Sequence, residues 1–361
     1  SYVKEMENLK TKYFFKFFEE PEAHLHKHVQ MTLFEKTGLE VAEGIQVLMT
    51  THSDSLSAAS KISCMNIISK NINGSKVMQP YIGLEKEEIS HIERYLDVKR
   101  SELLFSKSVI LVEGDAEEIL IPVMVRKCLG VSLDELGISL INIGSIGFEN
   151  IYKLFHDLRI NKKCAIISDL DTPMDFSDES QNNAYNRGKE RKKKIDEESN
   201  NNKWVKGFFG KYTFEIEIVK GNEEYIDALI DKTYSKDSTC KNKKKDIRNN
   251  KVEIYGDVVL KMASANKKGW NALMLSELID EKCCIPEYIQ NALVFVAKVA
   301  LKEKRNYKKI MRQYGEAYTD VSILSTIAEQ PEISLETLLQ LVNEANNASS
   351  AIKLLGKVVE K

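Results

Sequence analysis

Apolar runs that end on polar or acidic residues recur through the middle of the chain. Three of them, Val109–Val112, Leu140–Ile143 and Ala165–Ile167, have the length of strands, and apolar residues spaced as on one face of a helix follow the first. Such runs are typical of strands covered on both faces, and strands that alternate with helices predict a mostly parallel sheet. The predicted fold class is therefore α/β, with a Rossmann-like sheet in this region.

Further elements are predicted on both sides of this sheet. Apolar runs over 13–18 and 45–49 predict two strands joined by a helix. Apolar spacings of three and four predict a helical linker, and the pattern near the end of the chain predicts helices, one of them capped by Ser334. We therefore divide the chain into residues 1–83, the linker 84–104, a domain over 105–300 and a helical region over 301–361.

Two polar segments, 174–206 and 232–251, predict long exposed insertions, and each carries a basic run. Basic runs of this kind can contact phosphates without reading a base sequence. The alternative is a solvated loop with no binding role.

Composition narrows the class of protein. The chain has 361 residues, of which 43% are hydrophobic and 29% charged, and a formal net charge of −2. The chain has no overall positive charge that would attract a nucleic acid, so any contact with nucleic acid depends on local positively charged patches. No apolar run reaches the roughly 18 residues of a membrane span. The six cysteines include no C-x-x-C pair, which argues against zinc ribbons and disulfide scaffolds and favours the cytoplasm.

Acidic residues follow two of the predicted strands. Glu113 and Glu117 lie one helical turn apart after the first strand, and Asp169 and Asp171 follow the third. Ligands bind at the C-terminal edge of an open parallel sheet, where these four carboxylates are expected to meet. Hard oxygen ligands suit Mg²⁺ or Mn²⁺, and two such ions about 3.5–4 Å apart support phosphodiester hydrolysis.

Each half of this pattern has a simpler interpretation. Acidic residues in the first turn of a helix stabilise its dipole without any metal, and a single D-x-D is common in exposed loops. The combination, E-G-x-x-E after one strand and D-x-D after another, is far more specific than either half.

Taken together, these motifs resemble a known family. Val112–Glu117 (VEGDAE) and Ser168–Asp171 (SDLD) resemble the TOPRIM fold of topoisomerases, primases and OLD-type nucleases. Earlier, Glu19–His26 (EEPEAHLH) resembles the Walker B region of an ABC-type ATPase, and Thr50–Ser53 (TTHS) resembles its switch histidine. An ABC-type ATPase followed by TOPRIM resembles the overcoming lysogenization defect (OLD) family of endonucleases.

The resemblance implies two more site residues. Glu215, in Thr213–Glu215, resembles a family glutamate that faces the metal site, and Lys268 resembles a basic residue near the scissile phosphate. Alternating apolar residues leave open that Glu215 lies on the wet face of a strand. Lys267 is an equal alternative to Lys268.

The resemblance also implies ATPase roles that this chain cannot perform alone. Glu19 would help to hold the Mg²⁺ of a nucleotide, Glu20 would orient the attacking water, and His52 would sense the γ-phosphate. The sequence has no G-x-x-x-x-G-K-[ST] loop to cradle a triphosphate. ATP binding is therefore expected only with an N-terminal segment or a partner chain, and we expect a fragment, a split protein or a homo-oligomer.

The leading hypothesis is a Mg²⁺- or Mn²⁺-dependent DNA endonuclease, which the family resemblance links to ATP regulation and defence against phage. The alternative is a non-catalytic TOPRIM subunit that completes an ATPase on a partner chain. A topoisomerase or primase ranks last, because no signature of a strand-transferring tyrosine domain or a template-binding module is recognisable.

Overall fold

The computed structural model describes residues 15–42, 45–71, 74–96, 101–144, 147–266, 268–318, 328, 333–344 and 349–359. Contacts between Cα atoms divide the chain into two compact units. The first contains residues 1–105 with 158–160, and the second contains 106–157 with 161–361. The boundaries predicted at 83, 104 and 300 stay predictions.

The first unit contains the predicted strand–helix–strand. Strands β1 (Phe15–Glu19) and β2 (Gln46–Thr50) are parallel, with helix α1 (Lys27–Ala42) between them. Their register brings the last residues, Glu19 and Thr50, side by side. This unit also contains α2 (Asp54–Ala59), the antiparallel strands β3 (Ile67–Asn71) and β4 (Gly74–Met78), and α3 (Lys86–Tyr95), which lies within the predicted linker.

A four-stranded parallel sheet forms the centre of the second unit. Its strand order is β6-β5-β7-β8, and all five residues of β5 are buried, as its apolar run predicts. The predicted parallel α/β sheet is confirmed, and β8 is an addition that the sequence did not predict. These strands are β5 (Ser108–Val112), β6 (Ile138–Asn142), β7 (Lys163–Asp169) and β8 (Val205–Gly210).

Helices surround this sheet and continue to the end of the chain. They are α4 (Asp115–Leu129), α5 (Glu149–Tyr152), α6 (Glu179–Asn201), α7 (Phe214–Glu217), α8 (Glu223–Thr233), α9 (Asp237–Ile247), α10 (Val252–Asn266), α11 (Lys268–Leu278), α12 (Glu287–Lys302), α13 (Lys304–Ala317), α14 (Leu335–Glu344) and α15 (Ser350–Val359).

The helical tail shares one hydrophobic core with the sheet. Leu338 and Leu354 from the tail are buried in the same cluster as Ile110 from β5. The hydroxyl of Ser334 accepts a hydrogen bond from the amide of Thr337 at 3.2 Å, which confirms the predicted cap. Among the described helices, none combines the length and the apolar character that crossing a membrane requires.

The two polar segments fold as helices, so their interpretation as solvated loops is wrong. Asp178 caps α6, where its Oδ1 accepts hydrogen bonds from two backbone amides, and α6 packs against β8. In the second segment, α9 packs against α8 and α10 and buries Cys240 and Ile247. The sequence pattern is weak because each helix buries only a few positions.

Helix α6 lies unusually close to the loop that follows β7. A Cβ atom at Gly188 would lie 2.5 Å from the carbonyl oxygen of Leu170, closer than real Cβ atoms approach. Because that neighbour is backbone, it cannot rotate away as a side chain would. Only glycine permits this contact.

We expect the substitution Gly188→Ala to destabilise the protein. Overpacking typically costs about 1–3 kcal/mol, which exceeds the gain of up to about 1 kcal/mol in helix propensity. The matched control is Gly356→Ala in α15, where an added Cβ meets no atom within 4 Å. That change should stabilise by about 0.4–1 kcal/mol. Urea denaturation of both variants checks the prediction, and equal effects would contradict it.

Candidate metal centre

The predicted carboxylates lie at the C-terminal edge of the second unit's sheet. Glu113 follows β5, and Asp169 is the last residue of the neighbouring strand β7. One cleft at this edge brings together the acidic residues Glu113, Asp115, Glu117, Asp169, Asp171 and Glu215. The fold thus gathers residues from Glu113 to Glu215, which are far apart in the sequence.

The carboxylate of Asp169 is held in this cleft by a backbone amide. Its Oδ2 accepts a hydrogen bond of 2.6 Å from the amide of Phe214. The residue is partly exposed as a whole, but its Oδ1 is buried and has no hydrogen-bond partner among the described residues. Burial raises the pKa of Asp169 well above its ordinary value, and the charges of Glu117 and Asp171 raise it further.

The D-x-D pair does not leave β7 as an extended strand. Strand β7 ends at Asp169, and Asp171 has a left-handed backbone with φ of 53°. Aspartate tolerates this conformation better than most residues do. An extended D-x-D segment would place both side chains on one face, whereas here the backbone turns after Asp169 and both side chains still line the cleft.

Glu113 is fixed from the neighbouring strand. The hydroxyl of Ser168, which is buried in β7, donates a hydrogen bond of 3.1 Å to Oε2 of Glu113. The same Oε2 lies 3.5 Å from Nε of Arg191. Neither Ser168 nor Arg191 was among the predicted site residues.

Glu117 projects from the first turn of α4 and is 7% exposed. A Cβ atom at Gly114 would lie 2.3 Å from Oε2 of Glu117, so a glycine there lets Glu117 fold back over the start of the helix. The side-chain amide of Asn142, at the end of β6, donates hydrogen bonds to the carboxylates of Asp115 at 3.0 Å and of Glu118 at 2.9 Å. Of the three acids in the first turn of α4, Glu117 is buried, whereas Asp115 and Glu118 accept hydrogen bonds from Asn142.

Glu215 lies in a helical turn rather than on a strand. Helix α7 spans Phe214–Glu217, and Phe214 and Ile216 are buried while Glu215 lines the cleft. The strand alternative for this segment is wrong. A single turn is too short for a helical period to emerge from its sequence.

The basic residue expected near the scissile phosphate falls at the limit of the described residues. Lys267 lies outside them, and of Lys268 only the backbone, at the start of α11, is described. Gly269 lines the cleft, and a Cβ atom built on it would lie 3.7 Å from Cβ of Asp115. The first turn of α11 therefore borders the carboxylates. Ser145, at the predicted end of the second strand, also lies outside the described residues.

Arg191 is a charged side chain of the cleft that was not predicted from the sequence. It lies within the basic run of α6, three residues after Gly188, and enters the carboxylate cleft. In the sequence, Arg191 is one of several Lys and Arg residues in the same basic run, and nothing in the run distinguishes it from its neighbours. The available signal was the single glycine inside a long polar helix, which indicates a close approach.

The carboxylates of the cleft also affect the pKa of a tyrosine in α12. The hydroxyl of Tyr288 is buried and has no hydrogen-bond partner among the described residues. Its burial raises the pKa of Tyr288, and the charges of Asp169 and Glu117 raise it further. Tyr288 was not among the predicted site residues.

The donor chemistry of the cleft fits a divalent cation. Its acidic oxygens are hard ligands of the kind that Mg²⁺ and Mn²⁺ prefer, and the buried Oδ1 of Asp169 lacks a partner that a cation would supply. The residues that would hold the ion are Glu113, Glu117, Asp169, Asp171 and Glu215. Within the described residues, no three His, Cys, Asp or Glu side chains already converge in a metal-binding arrangement.

The first unit has its own cluster at the ends of β1 and β2. Nε2 of His52 lies 3.1 Å from Oε1 of Glu20, and both side chains are at least half exposed. Glu22 accepts a hydrogen bond of 3.0 Å from the amide of His52. The structure thus brings Glu20 and His52 together, whereas Glu19 is the exposed last residue of β1.

We expect the substitution Asp169→Asn to change how stability depends on pH in EDTA. The folded-state pKa of Asp169 is raised, so the folded protein binds this proton more tightly than the unfolded chain. The free energy of unfolding of the parent protein should therefore fall as the pH rises from about 4, the ordinary value for aspartate, through the raised pKa. The amide side chain of the variant cannot titrate, so the variant should lose less stability over that range.

Urea denaturation at a series of pH values checks this difference. Each unit of raised pKa corresponds to about 1.4 kcal/mol of stability that the parent loses. The control is Asp257→Asn in α10, because Asp257 is half exposed and pairs with Lys261 at 2.7 Å. Parallel pH profiles for the parent and Asp169→Asn would contradict the prediction.

Comparison with known proteins identifies the segment that carries most of this cleft. Residues 104–171 match the family model for the TOPRIM domain of overcoming lysogenization defect protein-like proteins. This segment includes Glu113, Glu117, Asp169 and Asp171. No curated protein matches the chain.

Solved structures give weaker likenesses. The C-terminal region of the Burkholderia pseudomallei OLD protein is 23% identical, with a TM-score of 0.41, over 54% of this chain and 99% of that one. The C-terminal region of the Xanthomonas campestris pv. campestris OLD protein is 25% identical, with a TM-score of 0.41, over 56% of this chain and 98% of that one. Because both TM-scores are below 0.5, these likenesses do not establish a shared overall fold.

The family match confirms the resemblance that the E-G-x-x-E and D-x-D motifs indicated. The ATPase resemblance of the first unit stays a prediction. Residues 104–171, which lie mostly in the second unit, are therefore similar to the TOPRIM domain of OLD-like proteins.

Proposed function

We propose that the carboxylate cleft binds Mg²⁺ or Mn²⁺ and hydrolyses phosphodiester bonds of DNA. The observation that carries this proposal is the convergence of acids from β5, α4, β7 and α7 on one sheet edge, within a TOPRIM domain of the OLD family. Nucleases of this chemical class need little from the protein beyond positioning and charge stabilisation. The family also supports a role in defence against phage, in the cytoplasm.

The protein's part in this chemistry is to hold oxygen ligands and a positive charge in fixed places. When bound, a divalent ion supplies Lewis-acid stabilisation of the phosphate and activation of water. The amide of Phe214 orients Asp169, and the hydroxyl of Ser168 orients Glu113. Lys268, at the start of α11, is the residue proposed to face the scissile phosphate and to stabilise its developing charge.

A second candidate function concerns the first unit. The Glu20–His52 pair at the ends of two parallel strands supports one half of a nucleotide site, which would regulate the nuclease when a phosphate-binding segment is supplied. In the alternative function, the TOPRIM domain is a non-catalytic module and the chain completes an ATPase on a partner. The exposed side chains of this pair favour a site that is completed by another segment.

We expect cleavage of supercoiled plasmid DNA in Mg²⁺ or Mn²⁺ and none in EDTA. The substitutions Glu113→Gln and Asp169→Asn should lower the cleavage rate by at least about a hundredfold, as the loss of one preorganised charge contact commonly does. The control Asp257→Asn removes an acid outside the cleft and should cleave like the parent. Gel electrophoresis of nicked and linear products measures both the rate and the type of cut.

Two results would redirect the proposal. Cleavage by Glu113→Gln and Asp169→Asn at the parent rate would show that the cleft is not the catalytic site. Absence of metal-dependent cleavage, together with a native mass above that of one chain, would favour the assembly function.

A further inference from the structure

Arg191 joins the two strand ends that carry the carboxylates. Its Nε lies 3.5 Å from Oε2 of Glu113, and its Nη2 lies 3.9 Å from Oδ2 of Asp171. The same Nη2 donates a hydrogen bond of 2.7 Å to the backbone oxygen of Asp169. One guanidinium thus contacts the residue after β5 and both members of the D-x-D pair.

Partial burial of these charges reduces the screening of their attraction by water and salt. The side chain of Arg191 is 25% exposed, and those of Glu113 and Asp171 are 33% and 30% exposed. Charges that are partly buried are screened by salt and water much less than surface pairs. Arg191 is also the one cation among the described residues that line the cleft.

Contacts with the backbone of residues 169 and 170 fix the position of Arg191. Gly188 lets α6 approach the carbonyl of Leu170, and the hydrogen bond to the Asp169 carbonyl holds the guanidinium at the strand end. That bond depends on no carboxylate, so the guanidinium is anchored whether or not the acids engage another cation.

The other basic residues nearby in α6 have partners elsewhere. Lys192 pairs with Asp196, Lys193 with Glu197 and Lys194 with Glu149. A general basic surface therefore does not explain the placement of Arg191, because its neighbours in the same run turn toward other acids.

We propose that Arg191 is a built-in cation of the carboxylate cleft, which neutralises Glu113 and Asp171 and competes with a divalent ion for them. It thereby sets the metal affinity of the cleft and stabilises the fold when no ion is bound. An arginine suits this role because it stays charged at every physiological pH and its planar group contacts several oxygens at once. The proposal rests on the proposed function, since it assumes that the cleft binds a metal.

The test measures Mn²⁺ binding by isothermal titration calorimetry and thermal unfolding in EDTA. We expect Arg191→Met to bind Mn²⁺ about tenfold more tightly than the parent, because a competing charge is removed. In EDTA, the same variant should unfold at a lower temperature, and the rise on adding Mn²⁺ should be larger. The matched control is Lys193→Met, which removes one charge from the same helix at a side chain that is 78% exposed. It should match the parent in both measurements.

A second variant keeps the test decisive if Arg191→Met folds poorly. Arg191→Gln removes the charge but keeps an N–H donor for the Asp169 carbonyl, and it should also bind Mn²⁺ more tightly. Equal or weaker binding by the folded Arg191 variants would overturn the proposal, because Arg191 would then organise the ligands rather than compete for them. The proposed function would survive that result.

A parent protein that binds no Mn²⁺ gives two further outcomes. If the Arg191 variants do bind the ion, the proposal is supported, since competition then explains the parent's failure. If no variant binds Mn²⁺, both the proposal and the proposed metal-dependent function are overturned. Adding Asp169→Asn to any protein that binds Mn²⁺, whether the parent or an Arg191 variant, should weaken that binding, which ties the measured binding to the cleft.

Discussion

Repulsion among acids at a sheet edge is the constraint around which the second unit is arranged. Asp169 ends a buried strand, and its Oδ1 is enclosed while Glu117 and Asp171 lie near enough to raise its pKa. Two features of the fold offset this cost. The amide of Phe214 donates to Oδ2, and Arg191 supplies positive charge beside Glu113 and Asp171.

The same features also determine what the cleft can do. A cluster that is fully neutralised by protein groups would have no affinity left for a divalent ion, whereas an unopposed cluster would resist folding. Ser168 and Phe214 hold the acids with neutral donors, which orient the oxygens without cancelling their charge. Only Arg191, among the described residues of the cleft, adds a full positive charge, and it is placed against Glu113 and Asp171 rather than against the carboxylate of Asp169. This leaves the carboxylate of Asp169, with its buried Oδ1, available to a cation.

The sequence was sufficient to predict the parts of this site that depend on long-range order. Apolar runs identified β5 and β7 because a strand buried on both faces has no polar positions, and the parallel topology then placed Glu113 beside Asp169. What it missed depends on short or weakly patterned elements. Helix α6 buries only Gly188 and Ile195 among its 23 residues, so its period is nearly invisible, and Arg191 was hidden within it. Helix α7 is a single turn, and the left-handed backbone of Asp171 concerns one residue, which is too local for a periodic pattern to reveal.

The first unit uses the same topological rule with a different result. Glu20 and His52 also lie at the C-terminal ends of neighbouring parallel strands, but their side chains are 50% and 82% exposed, so water screens their attraction. Phe15, Phe17 and Leu48 of the same two strands are exposed as well, although parallel strands are normally covered on both faces. The carboxylate cleft has its ligands, anchors and counter-charge within one unit. Glu20 and His52 lie close together but are open to water. The attraction between two charges becomes strong only where protein excludes water and lowers the dielectric constant. Within the described residues, water therefore keeps the attraction between Glu20 and His52 weak.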